Sequence, residues 1–339
     1  MRAVQLRGPY DLRVIEAEEP RPGPRQVLIK VRRCGICGSD LHAYKGRHPD
    51  YIMPLIIGHE FSGDVVEVGD EVTKVEVGDR VCVEPLLTCG ECRFCLRGEY
   101  NRCVDLKVIG CQTDGAMAEY IAVDERWVYR LPEGMSYEEG AMMEPLAVAV
   151  HAVRRAPRLG DNVLVLGAGT IGLLTLQVAR AMGAVNIVVT DLVDWRLELA
   201  RKLGATKAVN PARESLEEVV EEVTGGVGVD TSFEAVGHEE VLRQALSLTR
   251  KGGDVVVIGV YEEPTPRVRI MDIVNKELNV YGSLVYNWDF ETAIGLVSSG
   301  RVDVKPLISD VVELEEVVEG FKRMLAREEG VVKIQVRVS

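Results

Sequence analysis

Cys89, Cys92, Cys95 and Cys103 follow one another in the spacing C-x2-C-x2-C-x7-C within a short glycine-containing stretch. Four thiolates so placed can close a tetrahedron around zinc with no coordination position left open, which suits fixing a loop and not binding a substrate. A redox cluster or unrelated buried thiols are the alternatives that spacing leaves. All eight cysteines lie between Cys34 and Cys111. In an intracellular compartment, where thiols stay reduced, metal ligation explains that clustering better than a disulfide framework.

Cys37, His59 and Glu60 form a second set, placed beside glycines in CGICGSD (34–40) and IIGHEFSG (56–63). Mixed sulfur, nitrogen and oxygen donors suit a catalytic zinc that keeps one position open. Taken singly, His59 reads equally as a satisfied core histidine and Cys37 as a small buried apolar residue, the commoner fate of each type. Spacing alone does not decide between the two readings.

Gly167-Ala168-Gly169-Thr170-Ile171-Gly172 follows the apolar run VLVLG and opens a helical pattern. The first two glycines allow a tight turn and close approach of a pyrophosphate, which the helix N-terminus then faces. The next strand pattern ends at Asp191, where a carboxylate can bind both hydroxyls of the adenosine ribose. That carboxylate favours NAD, since it repels a 2′-phosphate, while Arg196 five residues on keeps NADP open. The plainer alternative is that the glycines only end a strand and Asp191 only caps the next helix.

These residues need elements to hold them. From Met1 to Glu144, short apolar runs such as VLIKV (27–31) and GDVVEVG (63–69) alternate with Gly and Pro and predict a mainly-β domain. From Pro145 the pattern becomes strand, helix, strand: NIVVTD, DWRLELARKLG, KAVN, SLEEVVEEV, VDTSFEA, HEEVLRQALSL and DVVVIGV. Such alternation builds a doubly wound parallel sheet, so the expected class is α/β with a Rossmann domain over 145–286. A helix at WDFETAIGLVSSG and a strand at VVKIQVRV should return to the first domain, giving it residues 1–144 and 287–339.

A chain of 339 residues calls for two domains. Its net charge of −13 and scattered Lys and Arg argue against nucleic acid and anionic membrane as partners. The opening RAVQLRGPYDLRVIEAEE has no apolar leader core, and no later run is long enough to span a bilayer, so the expected location is the cytoplasm.

Taken together, PRPGPRQVLIKV, CGICGSDLHAY, GHEFSGDVVEVG, the GDRV at 78–81, the four-cysteine lobe, MEPLAVAVHAV and VLVLGAGTIGL resemble the zinc-containing medium-chain dehydrogenase/reductase family along essentially the whole chain. The resemblance implies a GroES-like first domain, NAD on the second and two zinc ions per chain, one catalytic and one structural. It makes Cys37 and His59 catalytic zinc ligands, with Glu60 or Glu144 as the third. Glu144 stands where alcohol dehydrogenases of the two-Cys, one-His type have a second cysteine, which points to the polyol and threonine dehydrogenase branch. Ser39 and His42 match a relay that carries the alcohol proton outward, and Asp40 matches a partner that orients the histidine ligand. Ile171, Ile258 and Val260 match positions lining the cofactor, though ordinary core reads almost as well. A homotetramer is the expected assembly.

The activity so implied is hydride transfer from a secondary alcohol of a polyol, sugar acid or similar small polyhydroxy substrate to NAD. Threonine or a simple alcohol is the alternative substrate. Ala43 and Val285 stand where sorbitol dehydrogenases of this branch carry Tyr and Arg, which weakens the case for sorbitol itself. IGCQTDGAMAEY and LAVAVHAVRRA are more similar to oxidoreductases of sugar acids such as galactonate or gulonate. From another class, a zinc-stabilised NAD-binding sensor without turnover should lack the ligands or the relay, and Cys37, Ser39, His42, His59, Glu60 and Glu144 are all present.

Overall fold

The alternating apolar residues of Gln26–Gly35 place this strand at the centre of the first sheet, with Glu60–Val68 antiparallel on one side and Lys333–Arg337 antiparallel on the other. The sheet continues outward through Arg80–Val83 to Val128–Arg130 and, at the other end, to Ile308–Glu313. Tyr120–Asp124 also pairs with the central strand. A small sheet of Asp11–Glu16, Arg2–Gly8 and Leu55–Ile56 completes this unit. This computed structural model describes residues 1–262 and 265–339.

The chain divides into Met1–Glu144 with Leu307–Ser339, and Pro145–Pro306. The expected return at residue 287 therefore comes later, at Leu307. Helix Phe290–Ser298 stays with the second unit because the buried Asp289 beside it pairs with His151 Nδ1 at 2.9 Å and accepts from Arg154. Gln177 adds a two-way tie to the backbone of Asp303, at 3.0 and 2.8 Å.

In the second unit six parallel strands lie in the order Lys207–Val209, Asn186–Thr190, Asn162–Leu166, Val229–Glu234, Thr249–Val257, Asn279–Gly282. Numbered along the chain that order is 3-2-1-4-5-6, the doubly wound arrangement whose ligands sit beyond the carboxyl ends of the strands. Near-continuous apolar runs form the inner strands because both faces are covered; Leu164, Leu166, Val188 and Val255 lie in one buried cluster. The sixth strand and the helix before it, Ile270–Lys276, carry no clear periodicity in sequence and were not expected. The fifth strand starts at Thr249, earlier than its apolar run, and ends at Val257, where the Ile258 and Gly259 amides turn to the Glu234 carbonyl.

Candidate functional site

Register brings the first cluster together. Gly35 pairs with Glu60 on one side and with Gln335 on the other, so the chain leaving the central strand reaches Cys37 next to the His59-Glu60 pair. A Cβ on Gly35 would lie 2.0 Å from Glu60 Oε2, so only glycine leaves room for that carboxylate. The ligand atoms of Cys37, His59 and Glu60 all lie within 4.8 Å of one another. His59 and Glu60 are buried, at 5% and 1% exposure.

Cys37 also caps helix Gly38–Tyr44, in a capping box closed by Asp40, whose Oδ2 accepts from the Cys37 amide at 2.9 Å. One short helix thus carries Cys37 at its cap, Ser39 and Asp40 in its first turn and His42 one turn on. Asp40 is fully buried with Oδ1 3.8 Å from His59 Nδ1, on the side where Cys111 Sγ lies 3.9 Å away. Glu144 begins helix Met143–Arg155 and is buried, but it is outside the group gathered around Cys37 and His59.

The buried donors here hold protons that a metal ion could replace. Burial pushes the Cys37 thiol up, and the Glu60 carboxylate pushes it further. At His59 burial opposes the charged form, yet Asp40, then Cys37 and Cys111, outweigh it and raise the imidazole well above its ordinary value. A divalent ion would displace the protons that Cys37 and His59 hold, which is how metal affinity couples to their titration. Sequence reasoning missed Lys333, whose buried ammonium touches both Glu60 oxygens at 2.8 Å and the Ile36 carbonyl at 3.0 Å. Burial works against that charge, but Glu60, Cys37 and Glu144 raise it. A lysine in VVKIQVRV gives no sign of facing inward until the strand is paired.

The second cluster fits zinc by its dimensions. Sulfur separations of 3.5 Å (Cys89 to Cys103), 3.6 Å (Cys92 to Cys95) and 3.9 Å (Cys89 to Cys95) bracket the edge of about 3.8 Å expected for a Zn–S tetrahedron. The Cys89 and Asp105 amides donate to Cys103 Sγ, and the Cys92 amide to Cys89 Sγ. Backbone N–H groups of Cys95 and Val104 pull the Cys92 thiol down to about 6, while desolvation and its thiol neighbours push Cys95 up to about 12. Four crowded thiols resist common ionisation unless a cation compensates them.

At the carboxyl ends of the parallel strands, Gly167 has φ +104° and a Cβ on Gly172 would stand 1.8 Å from the Gly167 carbonyl oxygen. A Cβ on Gly169 would meet nothing within 4 Å, so the backbone is open there to an approaching phosphate. Gly169 caps helix Thr170–Ala181 without a side chain, and a helix N-terminus of this kind suits an anion. Asp191 Oδ2 accepts from the Ala168 amide at 2.8 Å, which fixes the carboxylate against the glycine turn, and Arg196 Nη1 is 4.0 Å from the same oxygen. Ile171 and Ile258 are half-buried and Val260 is 55% exposed beyond the end of its strand. Glu234, also missed, buries its carboxylate under this edge and accepts from the Val236 and Gly237 amides at 2.9 and 2.8 Å.

Residues 23–133 match the alcohol dehydrogenase GroES-like domain, and residues 170–299 match the zinc-binding dehydrogenase family model. The expected α/β class, a mainly-β GroES-like unit with a Rossmann unit, therefore holds. The chain is 36% identical over 341 residues to a sorbitol dehydrogenase of Bacillus subtilis (strain 168), covering 99% of this chain and 97% of that one. It is 39% identical over 342 residues to D-arabitol-phosphate dehydrogenase of Enterococcus avium, again covering 99% and 97%. The crystal structure of an alcohol dehydrogenase from Escherichia coli CFT073 complexed with NADH superposes with TM-score 0.93 at 32% identity, covering 99% of each chain.

Proposed function

This chain belongs to the zinc-type medium-chain alcohol dehydrogenase family, in its polyol branch, and on that premise we propose that it moves a hydride from a secondary alcohol of a polyol or sugar acid to NAD. The observation that carries the reading is the convergence of Cys37, His59 and Glu60 beside a helix that also bears Ser39, Asp40 and His42. Cys37, His59 and Glu60 would hold the catalytic zinc, with Glu144 as a ligand in reserve, and Cys89, Cys92, Cys95 and Cys103 the structural one. When bound, the zinc supplies Lewis acidity at the alcohol oxygen and the nicotinamide supplies a hydride acceptor. Ser39 takes the alcohol proton and His42 passes it outward. Gly167, Gly169 and Gly172 cradle the pyrophosphate, Asp191 binds the adenosine ribose, and Ile171, Ile258 and Val260 line the cofactor.

NAD is the preferred cofactor in this reading because the Asp191 carboxylate, held by the Ala168 amide at the glycine turn, would repel a 2′-phosphate, while Arg196 Nη1, 4.0 Å from it, lessens that preference. Ala43 and Val285 supply no donors for sorbitol, and the Tyr286 ring is fully buried, so another polyol or a sugar acid is favoured. No helix among the described residues is long and apolar enough to cross a membrane; the cytoplasm is the location this proposal assumes. Exposed Ile270, Met271, Val274 and Val280, on the edge strand of the parallel sheet and the helix before it, support self-association into the homotetramer.

The test is the initial rate of NAD reduction by zinc-loaded protein, with NADP alongside, on a panel of polyols, sugar acids, threonine and simple alcohols. Turnover of one polyhydroxy class with NAD preferred is the expected result. Binding of zinc and NAD with no turnover anywhere in the panel would favour a sensor instead.

A further inference from the structure

Tyr51 lies in an irregular stretch between helix Gly38–Tyr44 and strand Leu55–Ile56, and no sequence motif singles it out. Two ties hold that stretch: the Ile52 amide donates to the Cys111 carbonyl at 3.1 Å, and Gln112 Nε2 to the Asp50 carbonyl at 3.0 Å. The Tyr51 side chain is 7% exposed. Its hydroxyl reaches Asp40 Oδ1 at 2.9 Å and Ser39 Oγ at 3.2 Å, and the His48 ring meets its ring edge-on at 4.8 Å.

Counting protons assigns direction to these bonds. A carboxylate only accepts, and the Tyr51 hydroxyl is the donor toward both Asp40 Oδ1 and Ser39 Oγ, so its one proton is shared between these two acceptors, Asp40 being the nearer. Ser39 Oγ therefore turns a lone pair toward Tyr51, which fixes its rotor and leaves its own proton to point elsewhere. Asp40 meanwhile has Oδ2 fixed by the Cys37 amide and Oδ1 by Tyr51, on the side facing His59.

We propose that Tyr51 is a positioning residue: its hydroxyl sets the rotor of Ser39 and clamps Asp40 behind the metal ligand His59. The Ser39 half rests on the relay reading above, whereas the Asp40 half rests on the fit of Cys37, His59 and Glu60 to a metal. Tyr51→Phe removes the hydroxyl and keeps the ring against His48, so it tests both halves in the full zinc-loaded chain. The first readout is zinc release into a colorimetric chelator, in the kinetic phase that Cys37→Ser abolishes. That phase should quicken roughly three- to tenfold, as expected when an outer partner of a metal ligand is weakened. The second is turnover on the best substrate of the panel: kcat should fall roughly tenfold with KM for NAD unmoved. The double variant with Ser39→Ala should be no slower than Ser39→Ala alone.

Zinc release at the parent rate in Tyr51→Phe overturns the clamp on Asp40. A loss of kcat that adds in full to that of Ser39→Ala overturns the hold on Ser39. Undiminished turnover in Ser39→Ala would instead bring down the relay reading, and zinc release would then decide the role of Tyr51 alone.

Discussion

Cys89 and Cys103 meet although only 14 residues apart, in a lobe of short turns where Leu96 and Val104 are 75% and 74% exposed. Glu60 and Lys333 meet across 273 residues, inside a sheet that buries both. A metal at the four cysteines would add most to the stability of a lobe with so little core, since burial there contributes little. The Cys37 cluster is already held by strand pairing, so a metal at that point adds chemistry more than fold. The difference teaches that the two centres should fail in different ways.

Cys37→Ser should separate them most. We expect turnover to fall roughly a thousandfold, from loss of metal-assisted charge stabilisation, while NAD binding, followed by NADH fluorescence, stays as before. Equal loss of turnover and nucleotide binding would erase the distinction. Lys333→Met should come next: stripped of zinc, the variant leaves Glu60 buried without its partner and should lose about 3–5 kcal/mol in denaturant unfolding. Reloading zinc should recover part of that loss if Glu60 is a ligand.

Cys95→Ser should act on the other centre. Metal analysis should show about one zinc fewer of the two such a chain would hold, with faster tryptic cleavage at Arg93 and Arg97, and a smaller loss of turnover than Cys37→Ser causes. The smallest effect is chemical. In zinc-stripped protein Cys92 should be alkylated first, because a thiol reacts as its thiolate and this one is drawn down to about 6. Its rate should therefore rise through about pH 6 and level off above it, while Cys95, pushed up to about 12, stays slow through neutral pH. Mass mapping of the first alkylated cysteine checks this, and labelling of Cys95 before Cys92 would contradict it.

Legibility followed the same divide. The four-cysteine spacing, the glycine turn and Asp191 could all be read along the chain because their partners lie within one loop or one βαβ unit. The alternation of VLIKV, VLVLG and NIVVTD marked strands for the same reason, since period and burial are local properties. Ile270–Lys276 and Asn279–Gly282 escaped because Ile270, Met271, Val274 and Val280 are exposed at the sheet edge and only Ile273 of the helix packs against the buried cluster, so no apolar stripe is written in the sequence. The boundary moved from 287 to Leu307 because Asp289 and Asp303 find partners in helices far earlier in sequence.

The sequence by itself determined the α/β class and marked the candidate zinc donors and the glycine turn, since each is written in residues whose spacing is short compared with the reach of the backbone. Only the tertiary structure brought Glu60 within 4.8 Å of Cys37 and His59, paired Lys333 with Glu60, and set Tyr51 across Ser39 and Asp40. Those contacts depend on strand register and loop ties between distant segments, and a shift of one residue in register would turn each of the strand side chains to the opposite face.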